Sequence, residues 1–316
     1  MFLYSPKSKP RSGTMSPVSL FFAILCVIYL GHYSTAEEKH YDVTTIPVSP
    51  YISYLNEKKL VGNAQFEGYL IDLLEKLAKF GNFTYSLRKV QDRKYGQKKN
   101  GEWDGMIGEL VNRKADMALA PLTRSDLRAA AVLFTIPFRN VNLNFLVRKN
   151  FKEKKIDELA KDKNVKFFVI KGGTTSTRFK FATDPVEKRI WRRLQKTDSE
   201  SFISTVKQGV DKVLEDNNVV FIVESPMAEY WENKNCDLKI LKDVIETKDY
   251  YSLAVRKDLI GLKDTLDLGL WRLNQGNELK KLWVKWFSYT TCSGSMTKFN
   301  IFGLGVTTLI IMIIAL

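Results

Sequence analysis

Three short stretches of this sequence place charged and hydrogen-bonding groups where a small anionic molecule could be held. In Ala120-Pro121-Leu122-Thr123 a strand-like run ends, and Arg128 follows five residues after Thr123. A backbone carbonyl, a hydroxyl and a guanidinium can therefore converge at one sheet edge, and open α/β sheets bind ligands outside the carboxyl ends of their strands. Gly172-Gly173-Thr174-Thr175 lies between a strand-like and a helix-like segment. That position sets unpaired backbone N–H groups and two hydroxyls where a helix dipole favours an anion. A carboxylate or a phosphate fits such a turn, and so does a plain glycine turn with no ligand; the Gly-Lys-Ser/Thr ending of a phosphate loop is missing. Glu224 directly follows the apolar run Val219 to Val223 and so sits at a strand mouth, either solvated or beside a cation.

Taken together, one Arg, one anion-accepting turn and one Glu complement two negative groups and one ammonium. Those are the charges of an amino acid with a second carboxylate. Arg suits a carboxylate better than Lys because its planar fork can bond both oxygens. Hydrogen bonds to charged groups contribute about 1.5 to 3 kcal/mol each, so several of them can offset the dehydration of such a ligand.

The elements that must position these groups alternate between strand and helix, the pattern of an α/β protein. Tyr41 to Ile46 reads as a strand stopped by Pro47 and Pro50. From Phe66 to Phe80 the apolar residues Leu70, Leu73, Leu74 and Leu77 share one helical face, which predicts an amphipathic helix on a sheet. A helix near Trp103 to Lys114 leads into a strand at Met117 to Ala120, which Pro121 is expected to end because it cannot continue a ladder. Phe145 to Arg148, Val165 to Ile170 and Val219 to Val223 supply further strands. Asp184-Pro185 predicts a helix start with Pro in the first turn. Helices are expected over Ser201 to Leu214, Met227 to Glu232, Leu262 to Leu273 and Glu278 to Phe287.

The chain has 316 residues, 45% of them hydrophobic and 27% charged, so it has enough apolar content for two modest lobes and does not read as disordered. Its net charge of +14 would suit nucleic acid, an acidic membrane surface or small anions. No basic helix or zinc-finger spacing supports nucleic acid, and the cations are interspersed with acids. Only His32 and His40 are present, and no metal-ligand cluster or nucleophile elbow accompanies them, so neither a cofactor nor catalysis is expected.

Residues 1 to 36 read as a secretory leader: a basic start, the apolar run Val18 to Leu30, then Ser34-Thr35-Ala36 as a cleavage site. Removal of Cys26 with the leader leaves Cys236 and Cys292, an even pair suited to a disulfide in an oxidising compartment. Asn82-Phe83-Thr84 is a glycosylation sequon. Residues 293 to 316 end in the uncharged run Phe299 to Leu316, which predicts either a transmembrane helix or a lipid-anchor signal.

At the candidate site the sequence resembles the ionotropic glutamate receptors, most closely their kainate and AMPA branches. The resemblance runs from about Tyr41 to Cys292 and is carried by FEGYLIDLL at 66 to 74, KYG at 94 to 96 and EWDGMIGELVNRKADMALAPLT at 102 to 123. Arg128 and VFIVES at 220 to 225 complete it. It implies a two-lobed clamshell like that of periplasmic amino-acid-binding proteins, with lobe 1 formed by 37 to 139 and 246 to 292 and lobe 2 by 140 to 245. It also implies roles. Arg128 would take the ligand α-carboxylate beside the Thr123 N–H, while the Pro121 carbonyl, Thr123 hydroxyl and Glu224 would hold the ammonium. Thr174 and Thr175 would take the distal carboxylate, Tyr95 would cover the ligand, and Cys236 and Cys292 match the family's disulfide.

Two departures from the family stand out. The family places its pore-forming segments between the two halves of the clamshell, whereas here a charged stretch runs directly from Arg148 to Val165. At the lobe interface, where relatives oppose an acidic and a polar residue, this sequence has Val48 and Val206. The expectation is a membrane-tethered extracellular glutamate-binding protein without its own pore, aspartate and kainate-like agonists remaining open. The alternative is a truncated channel subunit acting with full-length receptor subunits. A homodimer is a further possible assembly.

Overall fold

The computed structural model describes residues 38–55, 59–196 and 200–288. The leader, Cys292 and the apolar run at Phe299 to Leu316 lie outside the described residues. From His40 onward the described residues belong to one compact unit.

Fourteen strands are described: β1 Lys39–Thr45, β2 Ser53–Tyr54, β3 Phe66–Glu67, β4 Phe83–Lys89, β5 Lys98–Lys99, β6 Glu102–Trp103, β7 Met117–Thr123, β8 Leu133–Phe134, β9 Arg139–Arg148, β10 Lys166–Ile170, β11 Phe202–Ile203, β12 Val219–Glu224, β13 Leu238–Ile240 and β14 Ile245–Val255. Between them run α1 Tyr69–Gly81, α2 Gly105–Val111, α3 Asp126–Ala129, α4 Ile156–Lys161, α5 Thr174–Lys180, α6 Pro185–Lys196, α7 Val206–Glu215, α8 Ser225–Lys234, α9 Ile260–Gln275 and α10 Glu278–Phe287. The fold is mixed α/β.

One sheet carries the architecture, in the order β11-β10-β12-β9-β14-β7-β1-β4. At one end β10 runs parallel to both β11 and β12, and at the other β1 runs parallel to β7. The long strands β9 and β14 pair antiparallel with each other and join these two ends. Because β9 leads into the first end and β14 returns from it to the second, residues distant in sequence meet where β12, β9, β14 and β7 run side by side.

Three apolar clusters hold the layers. The largest centres on the buried face of α1, with Leu70, Leu73, Leu74 and Leu77, and extends through Tyr51 and Tyr251 to Phe221 and Tyr230. A second lies over β10 and β12 around Phe145, Phe179 and Ile190, and a third packs α2 against β7 through Met106, Ile107 and Ala120. Burial of each large apolar side chain contributes about 1.5 to 3 kcal/mol, and the all-buried β7 shows why its sequence is a continuous apolar run. Val48 and Val206, half-buried, both pack against the largest cluster.

Several boundaries differ from the sequence reading, for physical reasons. The helix expected from Ser201 begins at Val206, because Phe202 and Ile203 pair with β10 as β11 and the Thr205 hydroxyl caps the helix by accepting from the Gln208 N–H. Strand β9 begins at Arg139 and not at Phe145, because residues 139 to 143 pair with β14. Helix α1 begins at Tyr69, because Phe66 and Glu67 pair with Tyr54 and Ser53 and Gly68 adopts φ 136. Strand β7 continues through Pro121 to Thr123. The missing N–H is not required there: β1 pairs only as far as Leu119, and the β14 register shifts between Ser252 and Ala254 opposite this stretch.

Candidate ligand-binding site

Arg128 sits in the one-turn helix α3, whose start is capped by the Ser125 hydroxyl accepting from the Arg128 N–H. Its guanidinium turns back into the protein, and the residue as a whole is only 4% exposed. Nη1 donates to the Thr123 carbonyl at 2.9 Å and to the Thr174 hydroxyl at 3.4 Å. Nε and Nη2 both donate to the Gly96 carbonyl, at 3.3 and 3.0 Å. Burial lowers the guanidinium pKa to about 10, an effect opposed by the charge of Glu224, so Arg128 is a cation at neutral pH.

Glu224 closes β12 and is also the residue before α8, so its carboxylate projects where the sheet gives way to helix. Burial raises its pKa, against hydrogen bonds from Tyr251 and Thr175 and the attraction of Arg128. Part of its surface remains accessible, yet protein atoms surround the carboxyl closely enough for desolvation to dominate. Thr175, itself buried, donates its hydroxyl to Glu224 Oε1 at 3.4 Å. The neighbouring charge of Asp249 raises the Glu224 pKa further.

Thr174 and Thr175 open α5, directly after the Gly172-Gly173 turn. Tyr95, half-buried against the third apolar cluster, has its hydroxyl pKa pushed up by burial and by the Glu224 charge, while Arg128 lowers it. Pro121 and Thr123 are both buried on β7, two residues apart and so on one face. Tyr95, Thr123, Arg128, Thr174, Thr175 and Glu224 thus come together in one network linking β7, α5 and β12. Asn82 lies away from it, exposed at the end of α1 with φ 48.

The sequence reading missed the Gly96 carbonyl and Tyr251. Tyr251 pairs with Thr123 across β14 and β7, is fully buried, and bonds Glu224 through its hydroxyl. Its ring packs edge-on against Tyr51 at 5.8 Å, in an aromatic layer that includes Tyr69, Phe138, Trp283 and Phe287. The layer ties Glu224 to the rigid core. The sequence reading assigned no strand over 245–255, and a strand pattern would in any case not reveal its pairing partner.

Chemically the network offers a buried cation, a half-buried carboxyl and hydroxyls between them, an arrangement that complements a zwitterion. Among the described residues no group of three or more His, Cys, Asp or Glu could hold a metal ion. Among them, too, no helix is long and apolar enough to cross a membrane.

Comparison with known proteins agrees with this geometry. Residues 39–151 match the family model described as the ligated ion channel L-glutamate- and glycine-binding site. Human glutamate receptor ionotropic, kainate 4 is 22% identical over 373 aligned positions, covering 79% of this chain and 39% of the receptor. Mouse glutamate receptor ionotropic, kainate 5 is 23% identical over 382 positions, covering 82% of this chain and 39% of the receptor. The chain therefore spans about 39% of the length of these curated relatives. The solved structure of Drosophila muscle GluRIIB in complex with glutamate is 30% identical, with a TM-score of 0.75, and the match covers 79% of this chain and 99% of that one. Shared fold, shared sequence along nearly the whole of that solved domain and a matching binding-site model lead to one conclusion: the chain belongs to the ionotropic glutamate receptor family and carries its ligand-binding domain.

Proposed function

We propose that this protein binds L-glutamate at the outer face of a cell membrane and closes two lobes around it, without an ion pore of its own. The observation that carries the reading is the joining of Arg128, on the β7 side of the sheet, to Thr174 on the β10 side, with Thr175 and Glu224 in the same network. Arg128 takes the ligand α-carboxylate. Glu224, with the Pro121 carbonyl and the Thr123 hydroxyl, holds the ammonium, Thr174 and Thr175 take the distal carboxylate, and Tyr95 covers the ligand. Because these groups come from residues 37–139 on one side and 140–245 on the other, a bound amino acid touches both and favours the shut arrangement by its differential contacts.

The absence of a pore draws support from the link between β9 and β10, which holds only the short charged helix α4. Alignments that run over 373 and 382 positions while taking in only part of a 316-residue chain also require insertions in the relatives that this chain lacks. Secretion, tethering through residues 293–316 and glycosylation at Asn82 rest on the sequence. A disulfide between Cys236 and Cys292 is supported by Cys236, which is disulfide-bonded.

Calorimetry on the full chain tests the reading. Glutamate should bind, and Arg128→Ala should abolish binding; no heat from the parent chain, or unchanged binding by the variant, defeats it. A second reading, a subunit acting with full-length receptors, is favoured by the match to two kainate receptor chains. Currents of a full-length receptor altered on co-expression would support it.

A further inference from the structure

We propose that Gln97 is a latch: its side-chain amide ties the loop after Tyr95 to helix α5 across the ligand site and sets how fast a bound amino acid leaves. The inference rests on the amino-acid-binding reading above and adds to it a residue that governs release.

Gln97 Nε2 donates to the Thr177 hydroxyl at 3.1 Å. The acceptor is well prepared, because a hydroxyl has a single proton and Thr177 directs it to the Gly173 carbonyl at 3.0 Å. Its lone pair is then free for the amide. The donor is equally fixed: the Gln97 N–H donates to Asp104 Oδ1 at 2.7 Å, and the Asp104 N–H donates back to the Gln97 carbonyl at 3.0 Å. The carboxamide also lies over the turn that leads into α5, since a Cβ built on Gly172 would meet Gln97 Oε1 at 3.4 Å and Cδ at 3.6 Å.

The two partners belong to opposite ends of the sheet. Gln97 precedes the β5–β6 hairpin and follows Gly96, whose carbonyl is held by Arg128, while Thr177 lies on the helix that follows β10. Opening the site by separating α5 from the Tyr95–Gln97 loop must break this bond. Neither residue is needed for any of the ligand contacts assigned above. Removing the bond should therefore speed opening while leaving capture by the open site unchanged, the usual division in which altered affinity resides in the dissociation rate. The net contribution of one neutral hydrogen bond corresponds to a rate change of about two- to tenfold.

The test uses the full chain and its Gln97→Ala, Thr177→Val, Thr177→Ser and doubly substituted Gln97→Ala/Thr177→Val variants. Stopped-flow glutamate binding is measured on each, with amide hydrogen exchange recorded without ligand. Gln97→Ala and Thr177→Val should each raise the dissociation rate by about two- to tenfold with the association rate unchanged. The double variant should be no faster than the faster single one, and Thr177→Ser should restore the slow rate. An unchanged dissociation rate, or additive effects in the double variant, overturns the latch whatever the exchange shows. If the parent chain binds no glutamate, it is the ligand reading that fails, and the latch is then judged on exchange alone. Faster exchange at both 94–98 and 174–180 in Gln97→Ala upholds it, and unchanged exchange at either segment overturns it.

Discussion

Arg128 holds the backbone carbonyl of Gly96 with two nitrogens at once, Nε at 3.3 Å and Nη2 at 3.0 Å, while Nη1 reaches the Thr123 carbonyl. A planar guanidinium can serve two carbonyls on different segments and, once its 3.4 Å contact to the Thr174 hydroxyl is given up, present two N–H groups to a carboxylate; a lysine ammonium is a point charge on a flexible stem. Arg128→Lys should therefore keep the charge and lose the geometry. Glutamate affinity should fall about tenfold or more, and unfolding stability by about 1 to 3 kcal/mol, because buried carbonyls lose their donors. Calorimetry and urea denaturation measure the two effects. Full retention of affinity would mean that charge alone, without the fork, recognises the ligand.

Glu224 should make ligand binding sensitive to acid. Burial holds its carboxyl above the ordinary glutamate range, even though Tyr251, Thr175 and Arg128 pull it down. A carboxyl whose folded pKa is raised gives a stability contribution that is fully present below the unfolded value and lost as pH rises through the folded value. Binding runs the other way, since the ligand ammonium requires the carboxylate. Affinity for glutamate should fall as pH drops through the raised pKa, at a pH above that of an ordinary glutamate side chain. Glu224→Gln should bind weakly and lose this pH response. A midpoint at or below the ordinary range in a calorimetric pH series would remove Glu224 from the ammonium site.

Much of this arrangement was legible in the sequence because it is local. The apolar face of α1, the uninterrupted strand β12 and the span of α10 follow from periodicity within one element, and Asp184-Pro185 marked the start of α6, where the Asp184 side chain accepts from the Val186 and Glu187 N–H groups. Arg128, Thr174, Thr175 and Glu224 were visible as side chains with complementary charge at element ends. Gly96 was not, because a backbone carbonyl acceptor leaves no mark on residue type. Tyr251 was hidden for another reason: its role depends on pairing with Thr123 across two strands far apart in sequence, and a two-residue period sets the face but never the partner. The passage of β7 through Pro121 likewise depends on where its neighbours stop pairing.

Gly68 shows how such a neighbour effect translates into stability. It precedes α1 with φ 136, and a Cβ there would lie 2.4 Å from the Tyr51 carbonyl oxygen and 2.9 Å from that of Pro50. Those same carbonyls accept from the first N–H groups of α1, Tyr69 to Pro50 at 3.1 Å and Leu70 to Tyr51 at 3.0 Å. The close approach is thus what caps the helix. Gly68→Ala should strain the backbone and displace both acceptors, with a loss of about 3 kcal/mol or more on urea denaturation. Gly62→Ala is the matched control: its φ of 57 is also left-handed, but nothing lies within 4 Å of the added Cβ. It should lose only about 1 to 2 kcal/mol. Equal losses would show that the close approach contributes nothing beyond backbone strain.

Thr175 couples the distal end of the ligand to the ammonium end, because its hydroxyl donates to Glu224 Oε1 and that bond lowers the Glu224 pKa. Thr175→Val preserves shape and removes the hydroxyl, so two effects are expected together. Glutamate should bind about tenfold more weakly, as one hydrogen bond to a charged group is lost. The pH at which binding fades should also move upward, because Glu224 loses a partner that stabilises its charged form while burial still opposes that form. Thr175→Ser should restore both. If Thr175→Val weakened binding but left the pH midpoint in place, the hydroxyl would act on the ligand alone. An upward shift with no loss of affinity would assign it to Glu224 and leave the distal carboxylate to Thr174 and the backbone at the start of α5.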